Sequence, residues 1–294
     1  MTSPDAPTSG AASTGAQDLT TNDGLRVVLD AAGVMTVAFN RPETLNALTR
    51  DVGLALLEAL ETAAARARVL VLTGSERAFC SGADLSGGAS SASASSEGSE
   101  APGGAADGAA RAKGVGLDVI NEAIRRIRDL PIPSIAAVSG PAAGVGCSFA
   151  LICDYVVMSE KSYLMLAFAK IGLMPDGGAT ALVAASAGRH RALRMALSAE
   201  KVYADRALEW GLASEVAAPE AYLTRALELA AGFAAGPTKA LGTTELAINA
   251  ATLGGLDAAL DREEEGQQRL LASPDFAEGS AAFREKRAPV FTDK

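Results

Sequence analysis

The spacing of apolar positions changes along the chain, and each change predicts a different element. Short runs rich in β-branched residues at 25–30 and 34–39 predict strands. The continuous apolar run at 69–74 predicts a strand buried on both faces. After Thr49, the predicted N-cap, apolar residues recur at helical spacing to about residue 67. A further helix is predicted from about 116 to 129, where a Leu-Pro step ends it.

The second half of the chain becomes mainly helical. From 135 to 180 the pattern indicates a strand, a small-residue turn, a helix, a strand and then a glycine turn. Helices are predicted at 189–197, 204–210, 219–233, 238–253 and 256–271, with a short strand near 213–216. Alternating strands and helices followed by a helical tail predict an α/β core, residues 23–217, with a C-terminal helical region, residues 218–294.

Two segments have too little apolar surface to fold by themselves. Residues 1–22 are rich in Ser, Thr, Ala and Gly, and we expect a disordered tail there. Residues 86–112 form a low-complexity insertion of similar composition. A loop of this length inside a domain is either disordered or a lid that a ligand orders, and the composition leaves both interpretations open.

Composition narrows the function classes. The 294 residues are 49% hydrophobic and carry a net charge of −9, which argues against nucleic acid or anionic membranes as main partners. The three cysteines show no metal-ligand spacing, so we expect reduced thiols and no metal site. We expect no membrane span, because no apolar run approaches 18 residues. The first residues lack the features of a secretory signal, and a cytoplasmic location is expected.

Three short segments could carry chemistry. The segment 77–85 follows a buried strand and could leave a free N–H at Gly82 or Ala83; it could equally be a plain strand-to-loop turn. The small-residue turn 140–148 precedes an apolar helix, whose first N–H groups can stabilise an anionic oxygen. Asp176 stands in a Pro-Asp-Gly-Gly turn, where it is either a base or a helix cap. His190, the only histidine, is flanked by arginines and is interpreted as solvated.

These segments are more specific as an ordered set. The motifs are NRPETLNAL (40–48), AFCSGADL (78–85), AAVSGPAAGVGCSFALICD (136–154), IGLMPDGGAT (171–180), EWGLASEV (209–216) and AFREKRAPVF (282–291). Together they resemble the crotonase superfamily, the enoyl-CoA hydratase/isomerase family, over roughly residues 24 to 291. The resemblance implies a ClpP-like spiral of ββα units with a C-terminal helical trimerisation region, in a homotrimer or a dimer of trimers.

The resemblance also implies a substrate and binding residues. The expected substrate is an acyl-CoA thioester, with coenzyme A entering as part of it and no separate cofactor. The main-chain N–H groups of Ala83 and Val145 would hold the thioester oxygen, although many relatives have glycine where this chain has Val145. Coenzyme A contacts are implied for the residues Glu43, Thr44, Leu45, Ser81, Ala83 and Leu85. Lys286 or Arg287 would reach a phosphate, on this subunit or a neighbour, or else be solvated charges at a helix end.

The catalytic carboxylates depart from one branch of the family. The hydratase branch uses two glutamates, and this chain has Ser148 and Phe168 at those positions, where they would line the acyl site instead. Asp176 matches the single carboxylate of the enoyl-CoA isomerase and epoxide isomerase branches. We therefore predict double-bond isomerisation with Asp176 as acid and base. The alternatives are a hydratase with non-standard residues and a non-catalytic acyl-CoA-binding homologue. A dehalogenase is disfavoured because no histidine lies just upstream of Asp176.

Overall fold

The computed structural model describes residues 15–85 and 116–293. Residues 1–14 and the predicted insertion at 86–112 lie outside this part. Within it, order begins earlier than the sequence predicts, because Gln17–Asp18 pairs antiparallel with the strand Leu25–Leu29. The prediction of disorder through residue 22 is wrong here. Strand pairing uses backbone groups, and the free edge of Leu25–Leu29 accepts even a polar, exposed segment.

Most strands belong to one mixed sheet. In chain order the strands are β1 (Gln17–Asp18), β2 (Leu25–Leu29), β3 (Val34–Phe39), β4 (Val69–Thr73), β5 (Ser134–Val138), β6 (Pro141–Ala143), β7 (Tyr155–Ser159), β8 (Tyr163–Met165), β9 (Val202–Tyr203) and β10 (Glu215–Ala217). The large sheet has the order β1-β2-β3-β4-β5-β7-β10. The pairs from β1 to β3 are antiparallel, and the pairs from β3 to β10 are parallel. A smaller sheet has the order β6-β8-β9.

The helices complete the repeats. They are α1 (Arg50–Arg66), α2 (Leu117–Arg128), α3 (Val145–Leu151), α4 (Ala179–Ala187), α5 (Arg189–Ser198), α6 (Ala204–Glu209), α7 (Tyr222–Ala235), α8 (Thr238–Thr252), α9 (Leu256–Leu271) and α10 (Pro274–Glu285). Thr49 caps α1 as predicted, its side chain accepting from the N–H of Val52. α10 was not predicted, although Ser273 and Pro274 form an N-cap and first turn that signal it.

The chain repeats one pattern along the large sheet. A strand of that sheet is followed by a short extended segment in a second layer and then by a helix. The second-layer segments touch through parallel bridges between Leu48 and Ala83 and between Cys80 and Ala142, which continue the small sheet. α1 begins two residues after the second-layer residue Leu48, and α3 begins two residues after the second-layer strand β6 ends.

Both faces of the large sheet are buried. Leu70 and Leu72 of β4 point into the main core, which α1, α2 and α3 cover, while Val69 and Val71 point to the opposite face. There α7 packs through residues spaced four apart, namely Tyr222, Ala226, Ala230 and Ala234. The continuous apolar run of β4 is thus confirmed as a strand buried on two sides.

The C-terminal helices fold back over the repeats. α9 packs against α4, and α10 packs on the 3₁₀ turn Ala167–Ile171. The fit at α10 is close, since a Cβ added to Gly279 would lie 2.6 Å from the Cα of Ile171. No helix among the described residues is both long and apolar enough to cross a membrane.

Candidate active site

Two backbone turns meet beside α3. Gly82, with φ of +103°, precedes Ala83, and Gly144, with φ of +56°, precedes Val145. A Cβ added to Gly82 would lie 3.1 Å from the carbonyl oxygen of Ala143 and 3.7 Å from the Cα of Gly144. Both turns need glycine because their φ angles are positive and the two backbones approach so closely. The fold therefore brings the predicted donors Ala83 and Val145 to one place.

The N–H of Ala83 faces the second turn. Leu48 donates its N–H to the carbonyl of Gly82 (2.8 Å) and accepts from the N–H of Asp84 (2.9 Å). In such a parallel bridge the residue between the two partners directs its own N–H and C=O to the other side. The N–H of Ala83 therefore points away from Leu48, toward the side on which Gly144 lies.

Val145 is the first residue of α3, so its N–H has no acceptor within the helix. The side chain of Val145 is only 2% exposed and belongs to the main core. Its Cγ2 would lie 3.1 Å from a Cβ added to Gly177, so it packs on the backbone of the Asp176 turn. The valine thus fills space between the turn at Gly144 and the turn at Asp176, and its backbone N–H stays in place.

Asp176 lies next to these turns and is 7% exposed. Its Oδ2 accepts from Nε2 of Gln267 (2.9 Å), and its Oδ1 has no hydrogen-bond partner among the described residues. Burial raises the pKa of Asp176 to about 7, the Gln267 donor opposes that rise, and the charge of Glu263 adds to it. A carboxyl group with such a pKa can accept and return a proton near neutral pH.

Asp176 does not cap the helix that follows it. α4 begins at Ala179, and the side chain that accepts from its first turn is that of Glu263. Glu263 accepts from the N–H groups of Gly178 (2.6 Å) and Thr180 (2.9 Å) and from Thr180 Oγ1 (2.5 Å). The alternative of Asp176 as a helix cap is therefore wrong, which leaves its carboxyl group available.

Ser148 and Phe168 lie at the same site. Ser148 is fully buried and its Oγ donates to the backbone carbonyl of Asp176 (2.9 Å). A Cβ added to Gly144 would lie 3.8 Å from the Cζ of Phe168, so the phenyl ring borders the turn at Gly144. Neither side chain supplies a carboxylate, and Asp176 is the acidic residue that the turns bring beside these donors.

The predicted coenzyme A segments also come together. The residues Pro42–Thr44 form a 3₁₀ turn, after which Leu45 has φ of +54°. Ser81 donates its N–H to the carbonyl of Leu45 (3.0 Å) and its Oγ to the carbonyl of Thr44 (3.1 Å). Leu85 ends the same described segment. The loop containing Glu43, Thr44 and Leu45 therefore lies directly against the strand that carries Ser81 and Ala83.

Lys286 and Arg287 follow α10, which packs on the turn Ala167–Ile171. The guanidinium of Arg287 pairs with Glu278 and Glu285 of α10, which hold it within its own helix end. A phosphate role for Arg287 would require these ion pairs to be exchanged, and the role stays a prediction.

Sequence reasoning missed residues that position this site. Asn46 donates to the carbonyls of Ala78 (2.7 Å) and Phe79 (3.2 Å) and so ties the first loop to the second. It has φ of +59°, which asparagine tolerates better than most residues. Glu263 and Gln267 were missed as well. They are four residues apart on α9, and that i, i+4 spacing was the available signal that they share a face.

A family model described as "Enoyl-CoA hydratase/isomerase" matches residues 30–294. The chain belongs to the enoyl-CoA hydratase/isomerase family. Of two similar relatives, one is named as an isomerase and the other as a hydratase. The chain is 38% identical over 267 residues to the 1,2-epoxyphenylacetyl-CoA isomerase of Escherichia coli K12, covering 89% of this chain and 96% of the relative. It is 37% identical to a probable enoyl-CoA hydratase of Rhodobacter capsulatus, covering 89% and 95%.

Solved structures of the family agree with the fold. A crystal structure of an enoyl-CoA hydratase from Mycobacterium avium subsp. paratuberculosis K-10 superposes with a TM-score of 0.79 at 44% identity. The match covers 92% of this chain and 99% of that one. The predicted crotonase fold, α/β with C-terminal helices, is confirmed. Membership of the enoyl-CoA hydratase/isomerase family leaves open which of the two reactions this chain performs.

Proposed function

We propose that this protein is an acyl-CoA isomerase that shifts a C=C double bond with Asp176 as the single acid and base. The observation that carries the proposal is the environment of Asp176. It is a buried carboxyl group with a pKa of about 7 and one oxygen that has no hydrogen-bond partner in the part of the chain that the structure describes. It lies beside Ser148 and Phe168, which provide no second carboxylate. Hydration needs a water activated and a proton delivered at adjacent carbons, whereas isomerisation needs one group that moves a proton.

The reaction follows from this arrangement. The Asp176 carboxylate removes a proton from C2 of a 3-enoyl-CoA, and the C–H electron pair forms an enolate whose charge lies on the thioester oxygen. The N–H groups of Ala83 and Val145 stabilise that oxygen, in a role that is worth about 10²–10³ in rate for one donor in a well-studied enzyme. The protonated Asp176 then delivers the proton to C4, which leaves the double bond between C2 and C3.

The binding of the rest of the substrate is part of the same proposal. Coenzyme A would run along the contact between the loop of Glu43, Thr44 and Leu45 and the strand of Ser81. It arrives as part of the substrate, and moving a proton between two carbons needs no further cofactor. Lys286 of this chain or of a neighbour would meet a phosphate in a homotrimer or a dimer of trimers, with residues 218–294 as the trimerisation region.

The test is a panel of acyl-CoAs that includes 3-enoyl, 2-enoyl and arylacetyl types, followed by NMR in deuterated water. Wild type is expected to isomerise a 3-enoyl-CoA and to exchange its C2 proton. Asp176→Asn should lower turnover by at least about 10³-fold while binding the acyl-CoA nearly as well. Asp261→Asn, which alters a solvent-facing carboxylate of α9, is the matched control.

Each alternative has its own outcome in this panel. Water addition to a 2-enoyl-CoA without isomerisation would replace the proposal with a hydratase, the activity named for several relatives. Tight binding of acyl-CoAs with no exchange at any carbon would point to a non-catalytic binding protein. Unchanged turnover in Asp176→Asn would remove the assigned base.

A further inference from the structure

We infer that Gln267 is the positioning residue of Asp176: it holds one carboxylate oxygen and leaves Oδ1 alone to carry the proton. This inference rests on the proposed function, because it concerns the same proton transfer. It assigns a part of the site to α9, a helix of the C-terminal region that contributes no group to the reaction as derived above.

The amide of Gln267 has a defined orientation. The residue is 2% exposed, and its Oε1 accepts from the backbone N–H of Met174 (3.3 Å). A backbone N–H can only donate, so the amide oxygen must face Met174 and the amide nitrogen must face Asp176. The Nε2 to Oδ2 distance is 2.9 Å, an ordinary hydrogen bond. Gln267 therefore joins the backbone before the turn to the side chain at its centre.

The two oxygens of Asp176 consequently differ. Oδ2 accepts from a neutral donor that cannot take up a proton, whereas Oδ1 is buried without a hydrogen-bond partner among the described residues. A buried carboxylate oxygen without a hydrogen-bond partner destabilises the folded protein, unless a bound substrate supplies the partner. A carbon-bound proton of the substrate is such a partner, and Oδ1 is the oxygen free to take it. Gln267 also prevents the carboxylate from rotating and exchanging its oxygens.

Glu263 supports the same arrangement one turn earlier on α9. Its carboxylate holds Gly178 and Thr180, which follow Asp176, while Gln267 holds Met174, which precedes it. The i, i+4 spacing places both side chains on one face of the helix. The two residues act oppositely on Asp176, since the Gln267 donor lowers the pKa of the carboxyl group and the charge of Glu263 raises it.

The test is Gln267→Met, which keeps a side chain of similar length and removes the donor. The turnover number is expected to fall by roughly 10–100-fold because the carboxylate loses its fixed orientation, with KM changed less than about twofold. The acid limb of the pH–kcat/KM profile should move to higher pH, because the lost donor had favoured the ionised form. Gln267→Glu, which has the same shape, should move it further because it adds a second carboxyl group.

A matched control lies next to it in the chain. Gln268 is exposed on α9, and its Nε2 donates to Oε1 of Glu264 in the same helix (3.4 Å). Gln268→Met should leave turnover and the pH profile unchanged. A purely structural role of Gln267 would lower the amount of active enzyme without moving the pH profile, and that result would overturn the inference.

A second measurement separates this inference from the proposed function. Carbon-13 NMR of labelled aspartate carboxyl groups follows the titration of Asp176 in the enzyme without substrate, with Asp176→Asn assigning the signal. The Asp176 titration should move to higher pH in Gln267→Met and stay in place in Gln268→Met. An unmoved titration would overturn the inference even if isomerisation is found. A moved titration with no isomerisation would instead support the contact and count against the proposed function.

Discussion

Two buried acidic sites in this protein differ in what surrounds them. Asp176 lies beside backbone donors and is held by an amide, while Glu245 of α8 faces Asp154 at the start of β7. Both oxygens of Glu245 lack hydrogen-bond partners among the described residues, and burial followed by the charge of Asp154 raises its pKa to about 9. Asp154 itself accepts from the N–H (2.8 Å) and the Oγ (2.5 Å) of Ser134.

The difference shows that a raised pKa does not by itself identify a base. Glu245 borders a cavity of about 380 Å³ whose walls include Leu182, Phe233 and Leu241. Among the described residues that line this cavity there is no turn comparable to Gly144–Val145. Burial first, and then the charge of the opposing Asp154, raises the pKa of the Glu245 carboxyl group and so favours the protonated form. Asp176 combines an intermediate pKa, one carboxylate oxygen without a hydrogen-bond partner among the described residues, and a place beside the proposed backbone donors. The surroundings of the carboxyl group therefore carry the functional argument.

The largest expected effect comes from disturbing the backbone donors. A Cβ at Gly146 would lie 2.3 Å from the carbonyl oxygen of Cys80, so Gly146→Ala must separate the two turns that carry Ala83 and Val145. Turnover is expected to fall by about 10²-fold or more because an oxyanion donor is displaced. Steady-state kinetics with the best substrate of the panel measure it.

Gly232→Ala is the control for this change, since a Cβ there meets no atom within 4 Å. Thermal unfolding of both variants shows how much of the loss is folding. If folded Gly146→Ala turns over within about threefold of wild type, the backbone donors do not contribute to the reaction. Their presence near Asp176 would then no longer distinguish that site from the site of Glu245.

The next effect in size concerns stability at the second site. The folded state raises the pKa of Glu245 from its ordinary 4.5 to about 9, so the folded protein binds this proton more tightly than the unfolded chain. Wild-type stability should therefore fall as pH rises between these two values. Glu245→Gln removes that loss, and we expect its free energy of unfolding to exceed that of wild type by on the order of 1–3 kcal/mol at pH 8.

Urea unfolding at pH 5, 7 and 8.5 measures this difference, which should widen as pH rises. Glu265→Gln, which changes an exposed carboxylate of α9, is the control and should show no widening. The turnover of Glu245→Gln should stay within about twofold of wild type. A large loss of turnover in Glu245→Gln would mean that the site of Glu245 takes part in the reaction. The distinction between Glu245 and Asp176 would then be wrong.

The sequence predicted the local segments of the candidate site better than the contacts between distant segments. The segments around Gly82 and Gly144 and the Pro-Asp-Gly-Gly turn predicted the candidate donors and Asp176, because glycines with positive φ and helix starts leave local signals. The contact of Gln267 spans 91 residues of chain and depends on how α9 packs. Helical periodicity predicted α9 with its observed bounds but could not say which face meets the Asp176 turn.

Local reasoning also left one alternative that only packing could remove. A carboxylate just before a helix is a typical cap, and Asp176 fits that pattern by sequence. In the structure Glu263 supplies the acceptor for the first turn of α4 from a distant helix. Burial, with a further contribution from the charge of Glu263, raises the pKa of Asp176, so its candidate role follows from tertiary structure rather than from the motif alone.

The smallest expected effect tests Ser148, which stands where the hydratase branch has a glutamate. Its Oγ donates to the carbonyl of Asp176 (2.9 Å), an oxygen that also accepts from the N–H of Ala179 (3.3 Å). Ser148→Ala therefore leaves this carbonyl partnered and should cost about 1 kcal/mol, which corresponds to about fivefold in turnover if all of it falls on the transition state.

Ser134→Ala is the matching change at the second site, where the serine bonds a carboxylate instead of a carbonyl. It should lower stability more than Ser148→Ala and leave turnover unchanged, because hydrogen bonds to charged groups are worth more than those between neutral groups. A loss of turnover well beyond tenfold in Ser148→Ala would indicate that the hydroxyl replaces the missing glutamate in the reaction. Asp176 would then share proton transfer with a second group, and the single-carboxylate mechanism would have to be abandoned.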